Sequence, residues 1–244
     1  HEIIRQYPKA FMAWNILGMA CKGLGKTDGA TEAFKKVTEL NPSYADGFSN
    51  LGVALEDEGK LEDATNAYKQ AVTINPEHAQ AYCNMGNVLG ERGKLSAALE
   101  AYRNAVTIKP DYALAFNNMG VTLKDQGQID KAIEAYRNAL SVQPDYPEAY
   151  NNIGLALKDQ GKLEQALESY KKALSVKPDY PDAYVNMGLA LKDQRKPDEA
   201  IEAYEKAIAN KPDYAEAYYN MGLIYQDQDM HEEAIEAYKQ TLSI

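Results

Sequence analysis

Residues 113–146 read ALAFNNMGVTLKDQGQIDKAIEAYRNALSVQPDY, and this stretch decides the fold. Its apolar residues recur three and four positions apart in two runs, one around Met119 and one around Tyr136. That spacing predicts two amphipathic helices. Gly127 stands between the runs, where the end of a helix favours a left-handed residue, and Pro144 ends the second run. The stretch therefore predicts one helical hairpin.

The same pattern recurs every 34 residues along the chain. A glycine within the first helix marks each copy: Gly18, Gly52, Gly86, Gly120, Gly154, Gly188 and Gly222. A fixed period of this length indicates a repeat array, in which each repeat packs mainly on its neighbours. Glycine inside a helix costs about 1 kcal/mol relative to alanine, so we expect it to allow close packing of the two helices. The predicted fold class is all-α.

The second helix of each repeat carries an aromatic residue at one position, which is Tyr136 in the quoted stretch. We expect its ring to fill the wedge between successive repeats, with the hydroxyl near water. Arg195 and Asp229 stand where other repeats have the turn glycine. These two departures leave the angle between the helices of repeats six and seven open, but not the existence of the helices.

The order of aromatic, leucine-glycine, alanine, second aromatic and proline resembles the tetratricopeptide repeat over essentially the whole chain. The first repeat shows it as Trp14, Leu17, Gly18, Ala30, Phe34 and Pro42. The resemblance implies antiparallel helix pairs stacked into a right-handed superhelix, an α-α solenoid. It also implies that the first helices line a concave groove.

On this pattern seven repeats follow one another. They run 11–44, 45–78, 79–112, 113–146, 147–180, 181–214 and 215–244. Residues 1–10 read as the tail of a truncated preceding repeat, and the seventh repeat ends before its proline. Neither end has the polar capping helix of a solenoid, so we expect an excised piece of a longer protein. The alternative is a complete protein whose bare ends stack on other copies.

One polar residue of the first helix recurs without an obvious need of the fold. It is an asparagine two positions before the glycine: Asn50, Asn84, Asn118, Asn152, Asn186 and Asn220. Asparagine is a middling helix former, whereas its amide is both a donor and an acceptor. A row of amides on the groove face could bind the backbone of an extended peptide. The alternative is that each amide bonds to the neighbouring helix.

The asparagine row adds a second resemblance. Such a row is a feature of the tetratricopeptide region of O-linked N-acetylglucosamine transferases, where it holds the substrate peptide, and the repeats are similar to that subclass. The resemblance implies a peptide-binding groove in this chain. The catalytic half of such an enzyme is not part of the sequence.

A second groove candidate is a lysine–aspartate pair at the end of the first helix. The pairs are Lys124 with Asp125, Lys158 with Asp159, and Lys192 with Asp193. A row of aspartates could attract a basic partner along the groove. The alternative is a solvated turn. Cys83 also falls at a groove position, which makes it a candidate reactive thiol.

Composition excludes several classes of function. The net charge of -10 argues against nucleic-acid binding, which needs a basic surface. No apolar run approaches the roughly 18 residues that would predict a membrane span. The two cysteines occupy different positions of the repeat, and the three histidines lack metal-ligand spacing. We therefore predict no catalytic residue, metal or cofactor, and the low cysteine count is compatible with a cytoplasmic, reducing compartment.

Three functions remain open at this stage. The first is a non-catalytic scaffold that binds a peptide or protein segment in the groove. The second is the substrate-recruiting region of a larger transferase. The third is a scaffold that assembles by end-to-end stacking of its uncapped ends.

Overall fold

The computed structural model describes residues 9–244, which form fourteen α-helices and no strand. The predicted tail of a preceding repeat lies outside the described residues, apart from Lys9 and Ala10. The chain divides into two compact halves after Gln126. We call them the N-terminal half, with α1–α7, and the C-terminal half, with α8–α14. The all-α prediction is confirmed.

The helices have nearly uniform length in both halves. In the N-terminal half they are α1 (Phe11–Gly23), α2 (Thr27–Leu40), α3 (Ala45–Asp57), α4 (Leu61–Ile74), α5 (Ala79–Glu91), α6 (Leu95–Ile108) and α7 (Ala113–Asp125). In the C-terminal half they are α8 (Ile129–Val142), α9 (Pro147–Asp159), α10 (Leu163–Val176), α11 (Pro181–Asp193), α12 (Pro197–Asn210), α13 (Ala215–Asp227) and α14 (His231–Ser243).

Short turns join the two helices of a repeat through a left-handed residue. Gly59 has φ 73° in the turn between α3 and α4, and the amide of Lys60 donates to the carbonyl of Leu55. Arg195 and Asp229 adopt the same conformation, with φ 60° and 58°. The helices on either side of both turns pack against each other, so the loss of glycine leaves the hairpins of repeats six and seven intact.

The glycine of the first helix faces the aromatic ring of its own repeat. A Cβ atom added at Gly52 would lie 2.6 Å from the ring of Tyr68, and one at Gly86 would lie 2.6 Å from the ring of Tyr102. The expected close packing of the two helices is therefore present. The aromatic ring lies over the glycine of its own repeat, and Tyr68 also packs in one cluster with Ala81 and Val88 of the next repeat. The expectation that the hydroxyl stays near water is wrong for Tyr170 and Tyr204, whose hydroxyls are buried.

First helices of consecutive repeats also contact one another. In the N-terminal half α3 touches α5 and α5 touches α7, and in the C-terminal half α9 touches α11 and α11 touches α13. We call the surface formed by these first helices the inner face of each half. None of the helices between residues 9 and 244 is long and apolar enough to cross a membrane.

Candidate functional site

The predicted asparagine row lies on first helices, and two of its members bond to the preceding repeat. Asn50 Nδ2 donates to Asn15 Oδ1 at 3.1 Å, and Asn186 Nδ2 donates to Asn151 Oδ1 at 2.9 Å. In both cases the acceptor is 35 residues earlier and buried. These two bonds match the alternative that the sequence left open, in which the amide bonds to the neighbouring helix.

Other members of the row bond differently because the position 35 residues earlier is not asparagine. That position is Cys83 for Asn118, whose Nδ2 donates instead to Asn87 Oδ1 at 2.9 Å. Asn84 Oδ1 accepts from Gln80 Nε2 at 2.8 Å within α5. The residue 35 positions earlier therefore decides which partner the amide takes.

The C-terminal half shows the same dependence on the preceding helix. The position 35 residues before Asn220 is Val185, and Asn220 is buried and donates to the backbone carbonyl of Glu216 at 2.9 Å. Asn152 is half-buried on α9. Asn220 is thus the one member of the row that is not accessible on the inner face.

The half-buried asparagines retain capacity for an outside partner. Within residues 9–244, the carbonyl oxygens of Asn50 and Asn186 accept no hydrogen bond, while their amide nitrogens are engaged as described. Each cross-repeat bond fixes the orientation of the side chain. The carbonyl oxygen of an oriented, half-buried asparagine can accept from a backbone N–H of a bound segment.

The lysine–aspartate positions form ion pairs between repeats. Lys22 Nζ lies 3.4 Å from Asp57, and Lys158 Nζ lies 3.7 Å from Asp193. Each aspartate again comes 35 residues after its lysine. The other predicted members also lie at the ends of first helices. Lys124 and Lys192 are half-buried, and Asp125 and Asp159 are exposed. Of the predicted residues, Lys158 and Asp193 therefore link one first helix to the next.

Repeat three departs from this arrangement and opens a cavity. Gly90 occupies the lysine position of α5, and a Cβ atom added there would meet nothing within 4 Å. The cavity between α5 and α7 has a volume of about 290 Å³. Its lining consists of Asn87, Gly90, Glu91, Leu95, Tyr102, Asn118, Val121, Thr122 and Asp125. The sequence analysis missed it, although a comparison of repeats at the lysine position would have indicated it.

Below the inner face, the tyrosine hydroxyls of the second helices reach the first helices. Tyr68 Oη donates to Glu56 Oε2 at 2.8 Å, and Tyr102 Oη donates to Asn87 Oδ1 at 2.8 Å. The hydroxyls of Tyr170 and Tyr204 are buried and have no hydrogen-bond partner within residues 9–244. Burial raises the pKa of both groups, so they stay neutral donors.

Glu56 marks an acidic part of the inner face of the N-terminal half. Burial raises the pKa of its carboxyl, and the negative charges of Asp57 and Glu91 raise it further. The hydrogen bond from Tyr68 opposes this rise. Glu56 and Glu91 are therefore close enough to repel each other.

The prediction of a reactive thiol at Cys83 is wrong. Cys83 is fully buried, and burial raises the pKa of its thiol to about 11. The contact between first helices covers this position, which the sequence analysis placed on the groove. Within the described part of the chain, no group of three or more histidine, cysteine or acidic residues could hold a metal ion.

Comparisons with known proteins agree on one kind of repeat. A family model described as "TPR repeat" matches residues 55–93, 86–127, 122–161 and 156–195. Models described as "Tetratricopeptide repeat" match residues 179–244 and 13–44. A search of curated proteins gives no significant match.

Three solved structures illustrate the similarity. The MamA protein is 31% identical, with a TM-score of 0.63 over 69% of this chain and 92% of that one. YrrB, described as a TPR protein with an unusual peptide-binding site, is 26% identical, with a TM-score of 0.60 over 77% and 97%. A tetratricopeptide repeat protein from Parabacteroides merdae has a TM-score of 0.77 over 96% and 92% at 19% identity, which shows the fold alone.

Proposed function

The chain belongs to the tetratricopeptide repeat family, and we propose that it is a non-catalytic scaffold that binds an extended peptide or protein segment on its inner face. The observation that carries the proposal is that Asn50 and Asn186 are half-buried, are oriented by a bond from their amide nitrogen, and accept no hydrogen bond through their carbonyl oxygen within residues 9–244. The similarity to YrrB, whose description names a peptide-binding site, supports it.

The proposed contact recognises the backbone of the bound segment rather than its side chains. An extended segment offers backbone N–H groups at regular spacing, and a row of amide oxygens can accept from them in turn. Each bond contributes about 0.5–1.5 kcal/mol, so several are needed for measurable affinity. Because one amide N–H already bonds within the protein, the carbonyl is held in place before binding, which lowers the entropy lost on binding.

The test replaces Asn50, Asn84 and Asn118 together by alanine. We expect affinity for a bound peptide to fall by about tenfold or more, because each of the three amide oxygens has a lone pair left for the segment. The oxygens of Asn84 and Asn118 each already accept one bond within the chain, from Gln80 and Asn117. The measurement is calorimetric titration with a peptide selected from a random dodecapeptide library, with helicity followed by circular dichroism.

A matched control removes three exposed asparagines of second helices, Asn66, Asn104 and Asn138. This control should leave affinity unchanged. Equal affinity of the wild type and the inner-face variant would reject the asparagine row as a binding site. Failure of the library to yield any binder would reject the proposed function as a whole.

Self-association is a second candidate, favoured by the surface of α14. Ile235 is 54% exposed, whereas Ile133 at the same position of repeat four is 6% exposed, and Leu242 is 87% exposed. A second copy that covers this apolar surface would bury it. A molecular mass that rises with protein concentration in sedimentation experiments supports this candidate, and a constant monomer mass rejects it.

The link to a transferase stays a prediction. The matching family models describe the repeat in general, and the three structures above are not described as glycosyltransferases. Sequencing the gene on either side of this stretch tests the link to a transferase. A catalytic transferase domain in the same reading frame supports the link, and its absence rejects it.

A further inference from the structure

The cavity of repeat three lies where other repeats hold a lysine of their own. Lys22 pairs with Asp57, and Lys158 pairs with Asp193, across the same interval of 35 residues. The residue at that interval before Asp125 is Gly90, which has no side chain to offer. In these two other repeats, a lysine ammonium group therefore occupies the position beside the aspartate of the next first helix.

The cavity has the size and lining for a cationic side chain. Its volume of about 290 Å³ is close to the lower end of the range for ligand pockets. Val121, 36% exposed, and Leu95 supply apolar surface along which the methylene stem of a lysine or arginine can pack. The amides of Asn87 and Asn118 and the carboxylates of Glu91 and Asp125 supply polar walls.

The charge around the cavity is negative and is not balanced within the described chain. No lysine or arginine between residues 9 and 244 lies within 4 Å of the carboxylates of Glu91 or Asp125. Arg92, the next residue after Glu91, turns away to Glu62 and Thr65. Glu56 adds a further carboxylate, and the negative charge of Glu91 raises its pKa. Excess negative charge in a concave, partly apolar site favours a cation.

We propose that the cavity beside Gly90 binds one lysine or arginine side chain of the segment that the inner face holds, with the cationic group between Glu91 and Asp125. This inference rests on the proposed function and adds a sequence requirement to it. The bound side chain takes the place of the lysine that repeats one and five supply from within the chain. Backbone contacts with the asparagine row then set the direction of the segment, and this cavity sets its register.

The test is a selection from a random dodecapeptide library with the wild type, followed by titration of variants. Gly90→Lys supplies the missing lysine from within and closes the cavity. Gly90→Ala adds only a methyl group in open space and keeps the cavity. Asn104→Lys adds the same positive charge at an exposed position of a second helix, and it controls for the net charge.

We expect the selected peptides to share one lysine or arginine at a fixed position. Their affinity should fall about tenfold or more with Gly90→Lys and stay within about twofold with Gly90→Ala and Asn104→Lys. Replacement of the shared basic residue of the peptide by norleucine should reproduce the loss on the wild type and change nothing on Gly90→Lys.

Peptides that bind without a shared basic residue, or that bind Gly90→Lys as tightly as the wild type, would overturn this inference and leave the proposed function standing. The same holds if Asn104→Lys weakens binding as much as Gly90→Lys, because net charge alone then explains the loss. A selection that yields no peptide rejects both proposals together.

Discussion

The inner face between α5 and α7 and the inner face between α9 and α11 use the same positions of the repeat, yet they present different surfaces. In the C-terminal half, Lys158 crosses to Asp193 at 3.7 Å. In the N-terminal half, Gly90 leaves a cavity beside Asp125. Within repeats three and five the two helices pack alike, since Gly86 and Gly154 each face the ring of the tyrosine of their own repeat. The difference shows that positions on the inner face change independently of those that build the hairpin.

The asparagine row shows the same independence. Asn186 and Asn118 are equivalent, but Asn186 bonds to Asn151, whereas Asn118 has Cys83 at the same interval of 35 residues and bonds to Asn87. A single difference in the preceding first helix redirects the amide. Asn87 in turn belongs to the lining of the cavity. Repeat three therefore combines several departures at one place, which is the pattern expected of a site.

The largest expected effect is a difference in the free energy of unfolding between alanine substitutions of two glycines of α5. Gly86→Ala would drive a Cβ atom into the ring of Tyr102, at 2.6 Å, and should destabilise the fold by about 2 kcal/mol. Gly90→Ala meets open space and should stabilise it by about 0.5–1 kcal/mol, because alanine favours the helix. Urea unfolding measures both. A similar loss for both variants would contradict the open cavity.

A smaller effect is expected from the tyrosine hydroxyls beneath the two faces. Tyr102→Phe removes the bond to Asn87 and should cost about 1 kcal/mol. Tyr170→Phe removes a buried hydroxyl that has no hydrogen-bond partner among residues 9–244, so stability should stay equal or rise. The comparison uses the urea midpoints of the two variants and the wild type. A clear loss for Tyr170→Phe would mean that its hydroxyl is bonded in solution.

The smallest effect concerns the ion pair that distinguishes the two faces. Gly90→Lys should gain about 0.5 kcal/mol over Gly90→Met through a pair with Asp125, and high salt should remove this gain. Lys158→Met should lose a similar amount at low salt, because it breaks the pair with Asp193. Thermal unfolding at low and high salt measures both differences. Equal salt dependence of the lysine and methionine variants at position 90 would show that no pair forms there.

The sequence predicted the hairpins well and their side-chain contacts poorly. The glycine and proline signals placed the turns, and the left-handed conformation predicted for Gly127 is present, with φ 73°. The hydroxyl of the second-helix aromatic was expected near water, but the hydroxyls of Tyr170 and Tyr204 are buried. Cys83 was expected to be accessible but is buried, because the contact between first helices covers it.

The sequence predicted where the asparagine row lies on the first helices, but not the hydrogen-bond partners of its amides. The asparagine row was located from its period, and its role in ligand binding stays a prediction. Whether an amide holds the neighbouring helix depends on a residue of that helix, such as Asn15 for Asn50. The cavity beside Gly90 was not predicted because it arises from an absent side chain, which shows only when the repeats are compared at the lysine position.

The sequence by itself determined the helical hairpin, its 34-residue period and the glycine-containing turns, because helix formation and termination depend on residues a few positions apart. Only the tertiary structure decided which side chains meet across repeats. Two asparagine bonds and two ion pairs between first helices join residues 35 apart, one more than the period. That extra residue reflects the stagger of packed first helices, a property of their mutual placement that the local pattern does not contain.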